Sequence, residues 1–191
     1  MTRPPTRLLA AVALPPLVLG ALGLTHPEDL TDSTAQYWRD IHIVLLPLFP
    51  LLALAPWLIV RGESRGLGWL AAALGVVYAL FYSALDVLAG IGAGALQLDG
   101  AASSTGILFR EGNALADFGV YAYLAATVLA AVVALRVAGL AALLGAVLIV
   151  PGAVVFLGSH IYWPDGVLTM LALAVGWTAL AVAVTRERPL T

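Results

Sequence analysis

Residues 67–95 read LGWLAAALGVVYALFYSALDVLAGIGAGA, an apolar run interrupted by a single charged side chain, Asp86. About 20 apolar residues suffice to carry a helix across the roughly 30 Å of bilayer hydrocarbon. The run is too long and too uniformly apolar for a barrel strand, whose lipid and lumen faces alternate. It therefore predicts a transmembrane helix with a carboxyl group inside it.

Working outward, five further segments pass the same test: 8–24, 41–60, 114–135, 137–158 and 166–185. Composition agrees, because 62% of the 191 residues are hydrophobic and 10% charged, against about 25% charged in ordinary soluble domains. The expectation is an all-α, polytopic integral membrane protein. It has six transmembrane helices in an antiparallel bundle, residues 1–191 forming one transmembrane domain. The first segment resembles a secretory leader in having Arg3 and Arg7 before an apolar run that ends in small residues, but it is read as a retained span.

Arginines near span ends stay on the cytoplasmic side. With both termini cytoplasmic, Arg3, Arg7, Arg61, Arg65, Arg136, Arg186 and Arg188 fall inside and only Arg39 and Arg110 outside. His26, His42, His160 and most carboxylates then lie at outer span ends. The expected location is the inner (plasma) membrane, with the polar site extracytoplasmic. The Lys-free, Ala- and Leu-rich composition suggests a bacterial, high-GC source.

Several chemistries are excluded. No cysteine is present, so there are no disulfides, thiolate metal sites or Cys nucleophiles. Without lysine there is neither a Schiff base nor a P-loop. The net charge of −2 and the lack of a basic stripe argue against nucleic acid as a partner. GIGAGAL at 90–96 continues a span and lacks the strand–turn–helix setting of a nucleotide loop, so its glycines read as helix packing. With Met1 and Met170 the only thioethers, a methionine-rich copper path is disfavoured.

Four local patterns carry what chemistry remains. Tyr78, Tyr82, Asp86, Gly90 and Gly94 recur every four residues and share a helix face; an intramembrane carboxyl is costly and by default marks function. In the loop after span one, Ser33 followed by Gln36 reads as a capping box starting the second helix early. That start places Trp38 and His42 on one face. Pro47, Pro50 and Pro56 should kink or break this helix. At the fourth span, Asn113 reads as an N-cap with Asp117 in the first turns, where the helix dipole favours a carboxylate, and Tyr121 continues the spacing. Finally, GSHIYWPDG (158–166) reads as an interfacial turn whose Tyr162 and Trp163 belong to the aromatic belt.

If His26, His42 and His160 converge, three imidazoles with an open position suit zinc or another first-row metal; His42 and His160 flanking a porphyrin would instead hold haem. Asp86 and Asp117 are the candidate catalytic carboxylates, and Trp38, Tyr82, Tyr121 and Trp163 the candidate ligand-binding aromatics. Three functions remain open. One is an extracytoplasmic-facing site that binds a metal ion, haem or small ligand, in its enzyme form a metal-dependent one acting on a lipid-like substrate. Another is a cation- or proton-coupled carrier or receptor. The last is a non-catalytic accessory subunit, with homo-oligomers or a membrane-complex partner allowed by the small-residue faces.

Overall fold

The computed structural model describes residues 4–187. Arg3 and Arg188, two of the arginines used to orient the chain, lie outside them. The chain is 86% helical, with no strand among the described residues. Five helical stretches are long and apolar enough to cross a membrane: Thr6–Gly23, Ala35–Val60, Arg65–Leu98, Ala102–Ser159 and Asp165–Glu187.

Helix α1 is Thr6–Gly23. The second stretch is broken as its prolines require. Helix α2 (Ala35–Leu48) passes into a 3-10 turn, Phe49–Ala53, before α3 (Leu54–Val60) resumes. Pro50 offers no N–H and its ring collides with the carbonyl of the preceding turn, so the chain tightens locally. Pro56, in the first turn of α3, is a second residue without an N–H just after this junction.

The apolar run 67–95 folds in two parts. Helix α4 (Arg65–Leu85) starts at Ser64, whose hydroxyl accepts from the Leu67 N–H at 3.2 Å. Then Asp86–Gly92 winds as a π-helix before α5 (Ala93–Leu98). A π turn spaces its hydrogen bonds one residue wider than an α turn, and such turns are frequent at functional sites. Sequence periodicity did not reveal it, since the four-residue stripe reads equally well as plain α-helix.

Helix α6 runs from Thr105 to Ala138, and α7 from Leu143 to Ser159. The 58 residues of Ala102–Ser159 would extend roughly 85 Å as one rod, nearly three hydrocarbon thicknesses. They do not. At Gly139 φ is +54°, a conformation glycine adopts without a Cβ penalty, and α7 packs back along α6. Helix α8 (Asp165–Glu187) packs against α1, α6 and α7 and has the most buried of the five apolar stretches.

Two expected helix starts are corrected. The N-cap of α2 is Thr34, without a side-chain cap bond, rather than Ser33. Gln36 turns the other way and donates to Asp40 at 2.6 Å, a neighbour one helical turn on with a full charge to offer. Asn113 is no N-cap: α6 begins eight residues earlier, after the short 3-10 turn Ala102–Ser104. Asp117 therefore sits several turns inside, out of reach of the dipole effect that fades within the first turn.

Large apolar side chains such as Leu14, Leu80, Leu144, Val147 and Val175 are exposed around the bundle. A surface of this kind suits lipid rather than water. The interior is aromatic: Trp177 donates to the Tyr123 hydroxyl at 3.1 Å, and Tyr78, Tyr82, Phe49 and Phe156 pack toward one end.

Candidate metal centre

The three histidines converge at that end, although they are far apart in sequence. Gly23, the last residue of α1, sits where an added Cβ would overlap the Ile161 carbonyl. This close approach brings the following turn, with His26, beside His160. Gly90, in the π turn, leaves the space that the His42 ring fills. His160 ends α7 with φ +44° and ψ −129°. A non-glycine residue there is strained by about 1–3 kcal/mol.

The resulting cluster is tight. The His26 ring centroid lies 5.0 Å from that of His42 and 5.4 Å from that of His160, nearly perpendicular to both. His42 and His160 are 5.9 Å apart and almost parallel. One ligand atom from each comes within 4.8 Å of the others.

Hydrogen bonds decide which atom each ring presents. His26 Nδ1 is 2.7 Å from the Pro27 carbonyl, and His42 Nδ1 is 2.7 Å from the Trp38 carbonyl. A carbonyl oxygen only accepts, so both Nδ1 atoms carry the proton and both Nε2 atoms present a bare lone pair. His160 Nδ1 meets the Tyr82 hydroxyl at 2.7 Å, which leaves its Nε2 free as well. Pinning one ring nitrogen through an outer hydrogen bond is how metal-binding histidines are commonly oriented. Among the described residues, the Nε2 atoms of His26 and His160 are buried without any hydrogen-bond partner. Leaving such a group unsatisfied costs about 1–3 kcal/mol.

Burial lowers the pKa of His26. Burial, helped by the two neighbouring imidazoles, holds His160 well below its usual value. Both are therefore neutral at pH 7, the form that donates to a metal. Tyr162, whose ring lies 4.8 Å from His26, is pushed up to about 12 by burial and by the carboxylates of Asp29 and Asp86. It remains a phenol.

Asp86 opens the π turn and is fully buried, with neither carboxyl oxygen partnered among the described residues. Its neighbours in the helix define where it sits: Tyr82, four residues before, holds His160, and Gly90, four after, abuts His42. The carboxyl thus belongs to the stretch of helix lying under two of the three imidazoles. It is not among the three side chains that converge.

A cavity of about 400 Å³ opens beside the cluster, with His42, His160, Tyr82, Trp38, Tyr162 and Phe156 among its walls. Asn113 and Asp117 of α6 also line it, and Asp117 is exposed. Asp86 and His26 do not line it. Tyr121 and Trp163, 60% and 54% exposed, are on the outer surface and outside the cavity wall. Residues four apart on a helix drift about 40° per step, so Tyr121 leaves the face that Asn113 and Asp117 share. Phe109, four residues before Asn113, takes the wall position instead.

Sequence reasoning missed Phe109, and it assigned Tyr162 to the aromatic belt alone. The Phe109, Asn113, Asp117 spacing was the available signal for the first. Nothing local signals the second, because its partner His26 is contributed by the other end of the chain. His26, His42 and His160 could together hold a metal ion. The chain matches no protein-family model, no curated protein and no solved structure, so the reading of this centre rests on its own geometry.

Proposed function

We propose that this chain is a six-span protein of the plasma (inner) membrane, both termini cytoplasmic, whose outer end holds a metal ion on His26, His42 and His160 and hydrolyses an amphiphilic, lipid-like substrate. The reversal at Gly139 supports counting α6 and α7 as separate crossings. The observation that carries the metal reading is the set of three imidazoles, one ring nitrogen from each within 4.8 Å of the others, with the Nε2 atoms of His26 and His160 buried and unpartnered.

Zinc fits best. Tetrahedral bonds of about 2.0–2.1 Å place ligand nitrogens about 3.4 Å apart, so the rings need to close by little more than 1 Å. Imidazole donors without thiolate or thioether suit zinc among the first-row ions. Haem fits less well, because the His26 ring, 5.0 and 5.4 Å from those of His42 and His160, crowds the side of the gap into which a porphyrin would have to extend.

Three protein ligands leave a coordination position open, the arrangement of catalytic rather than structural zinc. Such an ion supplies Lewis acidity and lowers the pKa of water toward neutrality. The chain supplies the rest. Tyr82 and the two backbone carbonyls fix the rings; aromatic side chains line the cavity; Asp86, buried in the helix that contacts His160 and His42, is the carboxyl assigned to proton transfer. An ionisable group at this depth needs such a partner or use.

Elemental analysis of protein purified in a neutral detergent tests this. About one zinc per chain, lost in His42→Ala and His160→Ala, supports it. Absence of metal, with ligand binding abolished by Asp86→Asn, would favour a carrier or receptor instead. If Asp86→Asn alters stability alone and no metal is found, an accessory role stands.

A further inference from the structure

Resting on that reading, the geometry points to a substrate class: the cavity selects amphiphiles with an ammonium-bearing, zwitterionic headgroup, its oxygen end directed to the histidine cluster and its cationic end to Phe109 and Asp117.

Three features of the cavity support this. First, its walls hold an aromatic corner. The Trp38 and Phe109 rings lie 5.9 Å apart at 70° to one another, and the Tyr162 ring lies 6.4 Å from that of Trp38. The Trp38 indole N–H is already committed to the Ala89 carbonyl at 3.0 Å and its ring is buried against His42 and Tyr162, so the more open ring face of the corner is that of Phe109. Faces of this kind attract quaternary and primary ammonium groups.

Second, the cavity's charge has one sign. Among the described residues, Asp117 is its only carboxylate and no arginine lines it. The nearest arginine in sequence, Arg110, is engaged with Glu111 at 3.0 Å. Among the described residues Asp117 has no ion-pair partner. The part of a headgroup that lies against Asp117 is favoured when it carries positive charge, so an ammonium would be drawn there and a neutral glycerol would not.

Third, Phe109, Asn113 and Asp117 follow one another at intervals of four along α6 and all line the cavity. One helix face therefore presents a ring, an amide and a carboxylate in succession. The histidine pair, His42 and His160, lines the same cavity. A headgroup with a phosphate or ester oxygen near its ammonium spans the two kinds of wall. A purely cationic ligand would be repelled by the ion, and an anionic one without an ammonium gains nothing from Asp117.

The test uses zinc-loaded full-length protein in a neutral maltoside detergent. It is titrated with dihexanoyl phosphatidylcholine or dihexanoyl phosphatidylglycerol, and bound molecules are counted by native mass spectrometry. The expected result is retention of the choline lipid at about tenfold lower concentration than the glycerol lipid. Asp117→Asn and Phe109→Leu should each shrink that ratio toward one while leaving zinc content unchanged. Equal retention of both lipids by the wild type, or a ratio untouched in both variants, overturns the headgroup assignment. Zinc content measured in the same samples keeps the two readings apart. Zinc without selectivity sinks the headgroup inference alone, and absence of zinc sinks the metal reading.

Discussion

Gly90→Ala is the sharpest perturbation available, since it moves a ligand without altering any ligand's chemistry. A Cβ at this position would lie 2.6 Å from the His42 Cβ and closer still to its ring, whereas ordinary contact begins at 3.4 Å. The ring must therefore retreat by about 1 Å. It has little freedom to do so, because Nδ1 is held by the Trp38 carbonyl at 2.7 Å while the Trp38 indole is anchored to the Ala89 carbonyl, next to the substituted residue. Metal–ligand distances tolerate only about 0.2 Å. Losing one of three imidazoles from register should weaken zinc binding by about 100-fold or more, and overpacking of this kind costs about 1–3 kcal/mol in stability. Gly158→Ala is the matched control, because nothing lies within 4 Å of a Cβ there. The assay is competition for zinc against a chelator of known affinity, with thermal unfolding in the same detergent. Wild-type zinc affinity and melting temperature in Gly90→Ala would refute the claim that His42 is clamped against the π turn.

Tyr82→Phe removes only the hydroxyl that orients His160; zinc affinity should fall about 10–100-fold with near-UV circular dichroism preserved. Asp86→Asn should leave zinc near one per chain but abolish turnover of any amphiphilic substrate the wild type hydrolyses; unchanged turnover would remove Asp86 from the chemistry. Stripping the metal should lower the melting temperature, and readdition should restore it in a concentration-dependent way, as binding to the folded state alone requires. In the stripped protein, His26 and His160 have pKa values below their unfolded value of about 6.5. The unfolded chain then binds more protons as pH falls below 6.5, so stability should drop from pH 7 toward pH 5. Melting temperatures flat across that interval would contradict the neutral, buried state of these rings.

Much of this architecture was legible in the residues themselves. Apolar runs located the helices, because their length and lack of charge admit no other structure in a bilayer. The prolines announced the break between α2 and α3, where the backbone chemistry of Pro50 left no alternative. The candidate site was legible only as a suspicion. Each histidine stood at the end of a different apolar run, but their meeting depends on contacts between distant elements: Gly23 against Ile161, and Gly90 against His42. The π turn was hidden because its residues also satisfy α periodicity, and the hydrogen bond from Trp38 to Ala89 that accompanies it crosses between helices. The start of α6 was misplaced because a helix can project beyond the apolar segment of its sequence.

His160 places an imidazole at a point in the chain where glycine would be more comfortable. Folding and ligand presentation therefore make opposing demands on one residue. His160→Gly should relieve the backbone and raise heat resistance relative to His160→Ala, while both abolish zinc binding. A library selected for thermal endurance alone, with no requirement for the ion, should accumulate His160→Gly, and one selected for metal retention should reject it.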